Sequence, residues 1–138
     1  GDDTDGHIDD IARFVDKNTV ICAFEEDKDD ENYEILKENY ELLKNMKDED
    51  GNKLNVKKLP MPGFVRDDKD KRLPASYANF YIGNSAVAVP VFEHKNDKKA
   101  MDILSKLFPN RKIVGINCRA MVYGLGTLHC VSQQEPRV

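Results

Sequence analysis

A cysteine close to the C-terminal end of the sequence carries the clearest chemical signal. Cys130 follows a turn-forming segment with glycines at positions 124 and 126, and His129 is its immediate neighbour. A thiol in such a place can be a nucleophile whose thiolate is stabilised by nearby backbone N–H groups. A single cysteine is nevertheless more often a small buried apolar residue. The motif alone therefore favours a structural role for Cys130, and other residues must decide the matter.

A histidine and an aspartate lie two residues apart at the opposite end of the chain. On an extended strand, residues two apart point to the same side, so His7 and Asp9 are predicted to project together. Such a pair suits acid–base work beside a cation held by the carboxylate. The pair could instead bind zinc with Cys130 as a third ligand, or it could be a capping aspartate beside a surface histidine. We expect no stoichiometric metal.

The remaining histidines and cysteines are predicted to have no catalytic role. His129 would point to the face of a strand opposite to that of Cys130, which excludes it as the base in this interpretation. His94 lies in a polar segment that is predicted to be an exposed turn. Cys22 lies in an apolar strand and is expected in the core, and Cys118 is expected to be structural.

Composition and charge indicate an ordinary globular domain. The 138 residues are 40% hydrophobic and 33% charged, with a formal net charge of −4, which gives no general attraction to nucleic acid or to an anionic membrane. No apolar run reaches transmembrane length. Three scattered cysteines do not form a disulfide framework, so a reduced, cytoplasmic protein is the expectation. The sequence does not begin with methionine, and we expect it to be part of a longer protein.

The hydrophobic pattern predicts the same order of elements twice, which is strand, strand, helix, strand. The first set has strands at 8–16, 19–24 and 54–59, with a helix from about 30 to 46. The second set has strands at 77–82, 86–92 and 112–117, with a helix from about 96 to 108. The strands at 19–24 and 112–117 are expected to be buried, because their sequences are largely apolar.

These elements predict an α/β fold made of repeated ββαβ units. The units are placed at 8–60 and 75–117, with a charged linker at 61–74 and a partial unit at 118–138. Strands and helices do not alternate singly, so a doubly wound sheet is not expected. Repeated units of this kind suggest blades around an axis, each burying a face against its neighbours. Two units and a fraction cannot close such a ring, which also predicts a longer protein.

Three motifs resemble the agmatine deiminases, which are related to the bacterial-type peptidylarginine deiminases of the guanidino-group-modifying superfamily. They are Thr4-Asp-Gly-His-Ile-Asp9 followed by Ile11-Ala-Arg-Phe-Val15, then Leu73-Pro-Ala-Ser-Tyr-Ala-Asn-Phe80, and finally Gly124-Leu-Gly-Thr-Leu-His-Cys-Val-Ser-Gln-Gln134. They occur in the family's order and spacing and cover essentially the whole chain. The resemblance implies a five-bladed α/β propeller of pseudo-symmetric ββαβ units.

The resemblance also implies roles for four residues. Cys130 matches the family's nucleophile, and His7 matches its general acid/base. Asp9 matches a carboxylate that binds the substrate guanidinium, and Asn79 matches a position that lines the site. The implied reaction passes through an amidino-cysteine, converts agmatine to N-carbamoylputrescine and ammonia, and uses no metal or organic cofactor.

The resemblance leaves several alternatives open. The substrate could be peptidylarginine or free arginine, or the chain could be a non-catalytic truncated domain. The family's other guanidinium-binding carboxylates belong to an N-terminal part that is not in this sequence, so we expect an incomplete site and little activity from the chain alone. Completing it would require the rest of the propeller or a homo-oligomer. The expected partner is a small guanidinium compound, with no role for nucleic acid or membrane.

Overall fold

A computed structural model describes Thr4 and residues 6–135. Its first sheet has three strands, β1 (Ala12–Phe14), β2 (Thr19–Phe24) and β3 (Asn55–Pro60). Strand β2 is central, antiparallel to β1 and parallel to β3. A parallel pair needs a crossover connection, and α1 (Tyr33–Asn45) supplies it between β2 and β3.

The second sheet repeats this plan. It contains β4 (Tyr81–Ile82), β5 (Ala86–Val91) and β6 (Lys112–Asn117), with α2 (Asn96–Leu107) between the last two strands. Strand β5 is antiparallel to β4 and parallel to β6. The order strand, strand, helix, strand is therefore confirmed in both halves. No helix in the part of the chain that the structure describes is long and apolar enough to cross a membrane.

The two halves share one hydrophobic core. Its largest fully buried side chains include Ile21 and Leu59 from the first sheet and Val87, Val89 and Leu104 from the second set of elements. The predicted apolar stripe of α2 is confirmed, because its Ala100 and Leu104 are fully buried. This shared core fixes the two halves relative to each other, and the candidate site depends on residues from both.

Three predicted strands differ from those in the structure. Residues 8–16 are not one strand, since Ile8–Asp10 forms a 3-10 helix and only Ala12–Phe14 is extended. Residues 77–80 precede β4 as a buried turn. The prediction that β6 is buried was wrong, because the strand lies at the edge of its sheet with five of its six residues exposed. Apolar content marked it as a strand, whereas its position in the sheet determined its exposure.

The predicted linker at 61–74 is partly buried. Val65 and Leu73 belong to the core. Arg72 is only 7% exposed, and its Nη1 pairs with Asp30 at 2.8 Å and with Glu31 at 3.2 Å. Arg72 is therefore buried although it lies in a segment rich in charged residues. This ion pair fixes the segment against the residues that lead into α1.

Candidate active site

A buried turn at residues 76–80 brings together residues from both ends of the chain. Ser76 accepts a hydrogen bond from the Ala78 N–H through its Oγ and donates one to the Asp10 carbonyl at 2.7 Å. Arg13 donates from Nη1 to the carbonyls of Ala78 (3.3 Å) and Phe80 (3.0 Å). The turn is thus attached to the segment around β1 on both sides of Asn79.

Asn79 lies fully buried at the centre of the candidate site. Its Nδ2 lies within hydrogen-bonding distance of the Asp9 carboxylate (3.2 Å), the Asp10 carboxylate (2.9 Å) and Cys130 Sγ (3.0 Å), and the hydrogens of the amide are shared among these three acceptors. Its Oδ1 accepts from Thr127 Oγ1 at 2.9 Å and from the backbone N–H groups of His129 (3.0 Å) and Cys130 (3.3 Å). One amide side chain therefore connects the motif that contains Asp9 to the motif that contains Cys130.

Asp9 is held by donors from two other segments of the chain. Its Oδ2 accepts from His129 Nδ1 at 2.7 Å, from Asn79 Nδ2 at 3.2 Å and from Cys130 Sγ at 3.3 Å. Burial raises the pKa of Asp9, but hydrogen bonds from His129 and Cys130 oppose this, and the net shift is downward. The side chain of Asp9 is thus kept as an oriented carboxylate.

The structure corrects the prediction that His129 is directed away from the site. Residues 128–131 form a turn rather than a strand, so the alternation of faces expected for adjacent strand residues does not apply. The imidazole of His129 consequently reaches Asp9, which itself contacts the Cys130 thiol.

Cys130 is exposed, whereas Cys22 and Cys118 are buried. Burial of the sulfur raises the pKa of the Cys130 thiol above its usual value, the hydrogen bond from Asn79 lowers it, and the hydrogen bond to Asp9 raises it further. The structure thus favours a neutral thiol in the free site. A cation beside Asp9 would favour the thiolate, because it would compensate the carboxylate charge.

His7 is exposed and lines the same surface cavity as Cys130. The cavity has a volume of about 340 Å³, and its other walls include Met121, Leu125 and Val131. The prediction that His7 and Asp9 project together from a strand was wrong, because Asp9 lies within the 3-10 helix and His7 precedes it. The two side chains nevertheless belong to one region, since Asp9 contacts the same thiol that lines the cavity of His7.

The two glycines before Cys130 have different surroundings. A Cβ added at Gly126 would lie 2.7 Å from the Cβ and 2.9 Å from the Sγ of Cys130, so only glycine fits there without displacement. A Cβ added at Gly124 would have nothing within 4 Å. Of these two glycines, Gly126 is therefore the one at which the backbone lies close to the thiol. Leu125 between them has a φ of 64°, a conformation that costs energy for a branched residue.

The residues that could bind a metal ion in the structure are not the set of His7, Asp9 and Cys130 that the sequence suggested. One potential ligand atom from each of Asp9, Asp10 and Cys130 lies within 4.8 Å of the others, and His7 is not in this group. Zinc sites that include a thiolate usually combine it with further thiolates or imidazoles. Two adjacent carboxylates with one thiol do not match that pattern, and the absence of a bound metal stays a prediction.

Sequence reasoning brought Cys130, Asp9 and Asn79 into one site, and the structure shows them in direct contact. It missed four residues that fix this arrangement, which are Asp10, Arg13, Thr127 and His129. Arg13, Thr127 and His129 lie inside the three quoted motifs and Asp10 lies between the two parts of the first, so the motifs were a signal that could have found them. Their contacts arise only when the two ends of the chain meet.

Comparisons with known proteins show similarity to deiminases. The family model of the Porphyromonas-type peptidyl-arginine deiminases matches residues 1–136. A curated protein of Latilactobacillus sakei, named "Putative agmatine deiminase", is 40% identical over 152 residues, which cover 98% of this chain and 42% of that protein. Among solved structures, the "Putative Arginine Deiminase" of Porphyromonas gingivalis has a TM-score of 0.94 at 45% identity and covers 99% of this chain and 40% of that one.

A further solved structure, of the agmatine deiminase of Enterococcus faecalis, has a TM-score of 0.90 at 35% identity and covers 97% of this chain and 41% of that one. The chain spans about two fifths of the length of these relatives. The match to the family model extends over nearly all of its residues, including the three motifs that form the candidate site. The chain belongs to the Porphyromonas-type peptidyl-arginine deiminase family.

Proposed function

We propose that this chain carries the nucleophile and the acid/base of an enzyme that hydrolyses the guanidinium group of agmatine. One observation carries the proposal: the exposed Cys130 thiol lies 3.3 Å from the Asp9 carboxylate in a cavity that is also lined by His7. A guanidinium is planar and cationic, and a carboxylate binds it through charge-assisted hydrogen bonds. Asp9 would thereby hold the guanidinium carbon beside the sulfur.

The bound cation would also activate the thiol. The pKa of Cys130 is raised by burial and by Asp9, so the thiolate is disfavoured until positive charge enters the site. A guanidinium paired with Asp9 would reverse the effect of that carboxylate. Asn79 would add to the stabilisation, since its N–H group donates to the sulfur at 3.0 Å. Ionisation of the nucleophile would then depend on the presence of substrate.

The chemistry proceeds in two halves. His7 accepts the thiol proton, the sulfur adds to the guanidinium carbon, and His7 returns a proton to the departing ammonia as the C–N bond breaks. The product of this half is an amidino-cysteine. His7 then removes a proton from water, which attacks the same carbon. The C–S bond breaks, the thiolate of Cys130 is restored and protonated, and N-carbamoylputrescine is released.

The remaining part of the site would come from outside these residues. The chain spans about two fifths of the length of its relatives, so we propose that its two ββαβ units (8–60 and 75–117) and its partial unit (118–138) belong to a five-bladed propeller. The other blades, or a second copy of the chain, would supply further carboxylates for the guanidinium. By itself the 138-residue chain would then bind agmatine weakly and turn it over slowly.

Two other functions remain candidates. The description of the matching family and the name of the Porphyromonas gingivalis relative favour peptidylarginine or free arginine as the substrate. The open cavity around Cys130 is compatible with either. A non-catalytic domain is favoured only by the short length of the chain relative to its relatives.

Selective alkylation tests these functions. Iodoacetamide should modify Cys130 and leave Cys22 and Cys118 unmodified, because only Cys130 is exposed. Agmatine should slow this reaction. The same measurement with arginine and with an arginyl peptide shows which of the three compounds protects Cys130 best. Asp9→Asn should remove the protection. Failure of every guanidinium compound to slow the alkylation would contradict the proposal, and rapid release of ammonia from agmatine by the 138-residue chain would contradict an incomplete site.

A further inference from the structure

The closest contact of the Asp9 carboxylate with another side chain among the described residues is the one from His129. The distance from Nδ1 to Oδ2 is 2.7 Å, against 3.2 Å for Asn79 and 3.3 Å for Cys130. We propose that His129 is a positioning residue that holds Oδ2 and so presents the other oxygen of Asp9 to the guanidinium. This inference rests on the proposed function, in which Asp9 binds that group.

The backbone around His129 is fixed firmly enough for this task. Its N–H donates to the main-chain and side-chain oxygens of Asn79, at 3.1 and 3.0 Å. Its carbonyl accepts from the N–H of Ser132 at 3.0 Å and from the hydroxyl of Ser132 at 2.9 Å. The imidazole therefore leaves a rigid turn and meets Asp9 in one defined geometry.

The chemistry of the contact determines where the ring carries its proton. An ionised carboxylate only accepts hydrogen bonds, so Nδ1 of His129 must donate. Neutral His129 is then the tautomer with hydrogen on Nδ1. His94 has the opposite arrangement, because its Nδ1 accepts the N–H of Asn96 at 3.2 Å and its hydrogen must lie on Nε2. His94 can therefore serve as an internal reference when the tautomer of His129 is determined.

The orientation of Asp9 matters because a guanidinium is planar and its N–H groups donate in fixed directions. An N–H of the guanidinium can donate to Oδ1 in good geometry only if the carboxylate does not rotate. Donors on Oδ2 from three residues stop such rotation, and His129 makes the shortest of the three contacts. Loss of the ring should weaken guanidinium binding more than it changes the reactivity of the thiol.

An isostere series on the 138-residue chain tests the role of the Nδ1 donor. The amide nitrogen of His129→Asn occupies the position of Nδ1, whereas that of His129→Gln occupies the position of Nε2. The quantity measured is the agmatine concentration that gives half-protection of Cys130 from iodoacetamide. We expect this concentration to be similar for His129→Asn and for wild type. His129→Gln and His129→Leu should need about tenfold more. Equal losses in all three variants would overturn the proposal, because a merely structural role would not distinguish Asn from Gln.

A long-range proton–nitrogen NMR spectrum tests the contact without any ligand. At a pH where the rings are neutral, His129 should show hydrogen on Nδ1 and His94 on Nε2, with the His129 signals assigned from their loss in His129→Gln. Hydrogen on Nε2 of His129 would overturn the proposal. If Nδ1 is protonated but agmatine does not protect wild-type Cys130, the proposed function fails while the positioning of Asp9 by His129 is supported.

Discussion

Asn79 contacts Cys130 at two points, with its amide N–H on the sulfur at 3.0 Å and its amide oxygen on the backbone N–H at 3.3 Å. The same side chain donates to Asp9 and accepts from Thr127. The thiol and the carboxylate thus share a single buried anchor. The geometry of one cannot change without affecting the other.

Removal of this anchor should destabilise the fold. Asn79→Ala leaves the buried Thr127 hydroxyl and the N–H of Cys130 without their acceptor, and each unsatisfied group is costly, whereas the N–H of His129 keeps the main-chain carbonyl of residue 79. We expect a loss of about 2–4 kcal/mol in the free energy of unfolding, measured by urea denaturation. Thr127→Val removes only one of these hydrogen bonds and should cost about 1 kcal/mol. Equal costs for the two variants would contradict a central role for Asn79.

The glycines before the cysteine provide a matched pair of variants. Gly126→Ala places a methyl group 2.9 Å from Cys130 Sγ, so the thiol must shift relative to Asp9 and Asn79. The protection of Cys130 by agmatine should then fall by about tenfold or more, which corresponds to the loss of one charge-assisted hydrogen bond. Gly124 lines the same cavity, but Gly124→Ala brings its methyl group within 4 Å of no other atom, so the thiol keeps its position and protection should fall much less. Protection that survives in Gly126→Ala would show that the position of the thiol is not critical.

The thiol should titrate above the usual range for a cysteine. Burial and Asp9 raise the pKa of Cys130, and the thiolate form is therefore reached only at higher pH than in an unfolded chain. The pH dependence of the iodoacetamide reaction measures this. Asp9→Asn removes the negative charge and should lower the pKa of Cys130, shifting the profile to lower pH. A shift in the opposite direction would mean that Asp9 stabilises the thiolate.

The buried ion pair of Arg72 should make stability depend on pH. Burial raises the pKa of Asp30, but the hydrogen bond and charge of Arg72 outweigh this and the net shift is downward. A lowered pKa in the folded state stabilises the protein above the unfolded pKa of Asp30 (about 3.9), and this contribution is lost as pH falls through the lower folded value. Asp30→Asn should therefore destabilise the protein at pH 7 by about 1–3 kcal/mol, and progressively less as the pH falls below the unfolded pKa of about 3.9.

An exposed ion pair serves as the control for this prediction. Lys98 and Asp102 are 84% and 57% exposed and lie one helical turn apart. Asp102→Asn should change the free energy of unfolding by less than about 0.5 kcal/mol. Thermal melts of both variants across this pH range make the comparison. An Asp30→Asn variant that is equally destabilised at low and neutral pH would show that charge is not the cause.

The sequence correctly predicted those elements whose hydrophobic pattern is contained in the element itself. Strand β2, with its run of apolar residues, and helix α2, with its buried stripe, were recognisable because both signals are contained in the segment itself. Residues 77–80 looked like a strand for the same reason. They form a buried turn because Arg13 and Ser76 make polar contacts across the chain, and such contacts leave no periodic signal.

The candidate site was predicted in part for a related reason. Cys130 and Asp9 could be named from their motifs, but the role of His129 depended on the backbone at 128–131. An assumed strand there turned its ring away from the thiol, whereas the turn directs it to Asp9. Three-dimensional contacts between distant segments decided the outcome.

The hydrogen bond between Cys130 and Asp9 joins residues separated by 121 positions in the sequence. Contacts of such long range close a large loop, and the loss of chain entropy opposes them until the intervening structure has formed. Assembly of the site should therefore be a late event in folding, after both sheets have packed on the shared core. The thiol of Cys130 is then correctly placed only in chains whose whole fold has formed. A substitution far from Cys130 can therefore reduce the reactivity of the thiol without contacting the site.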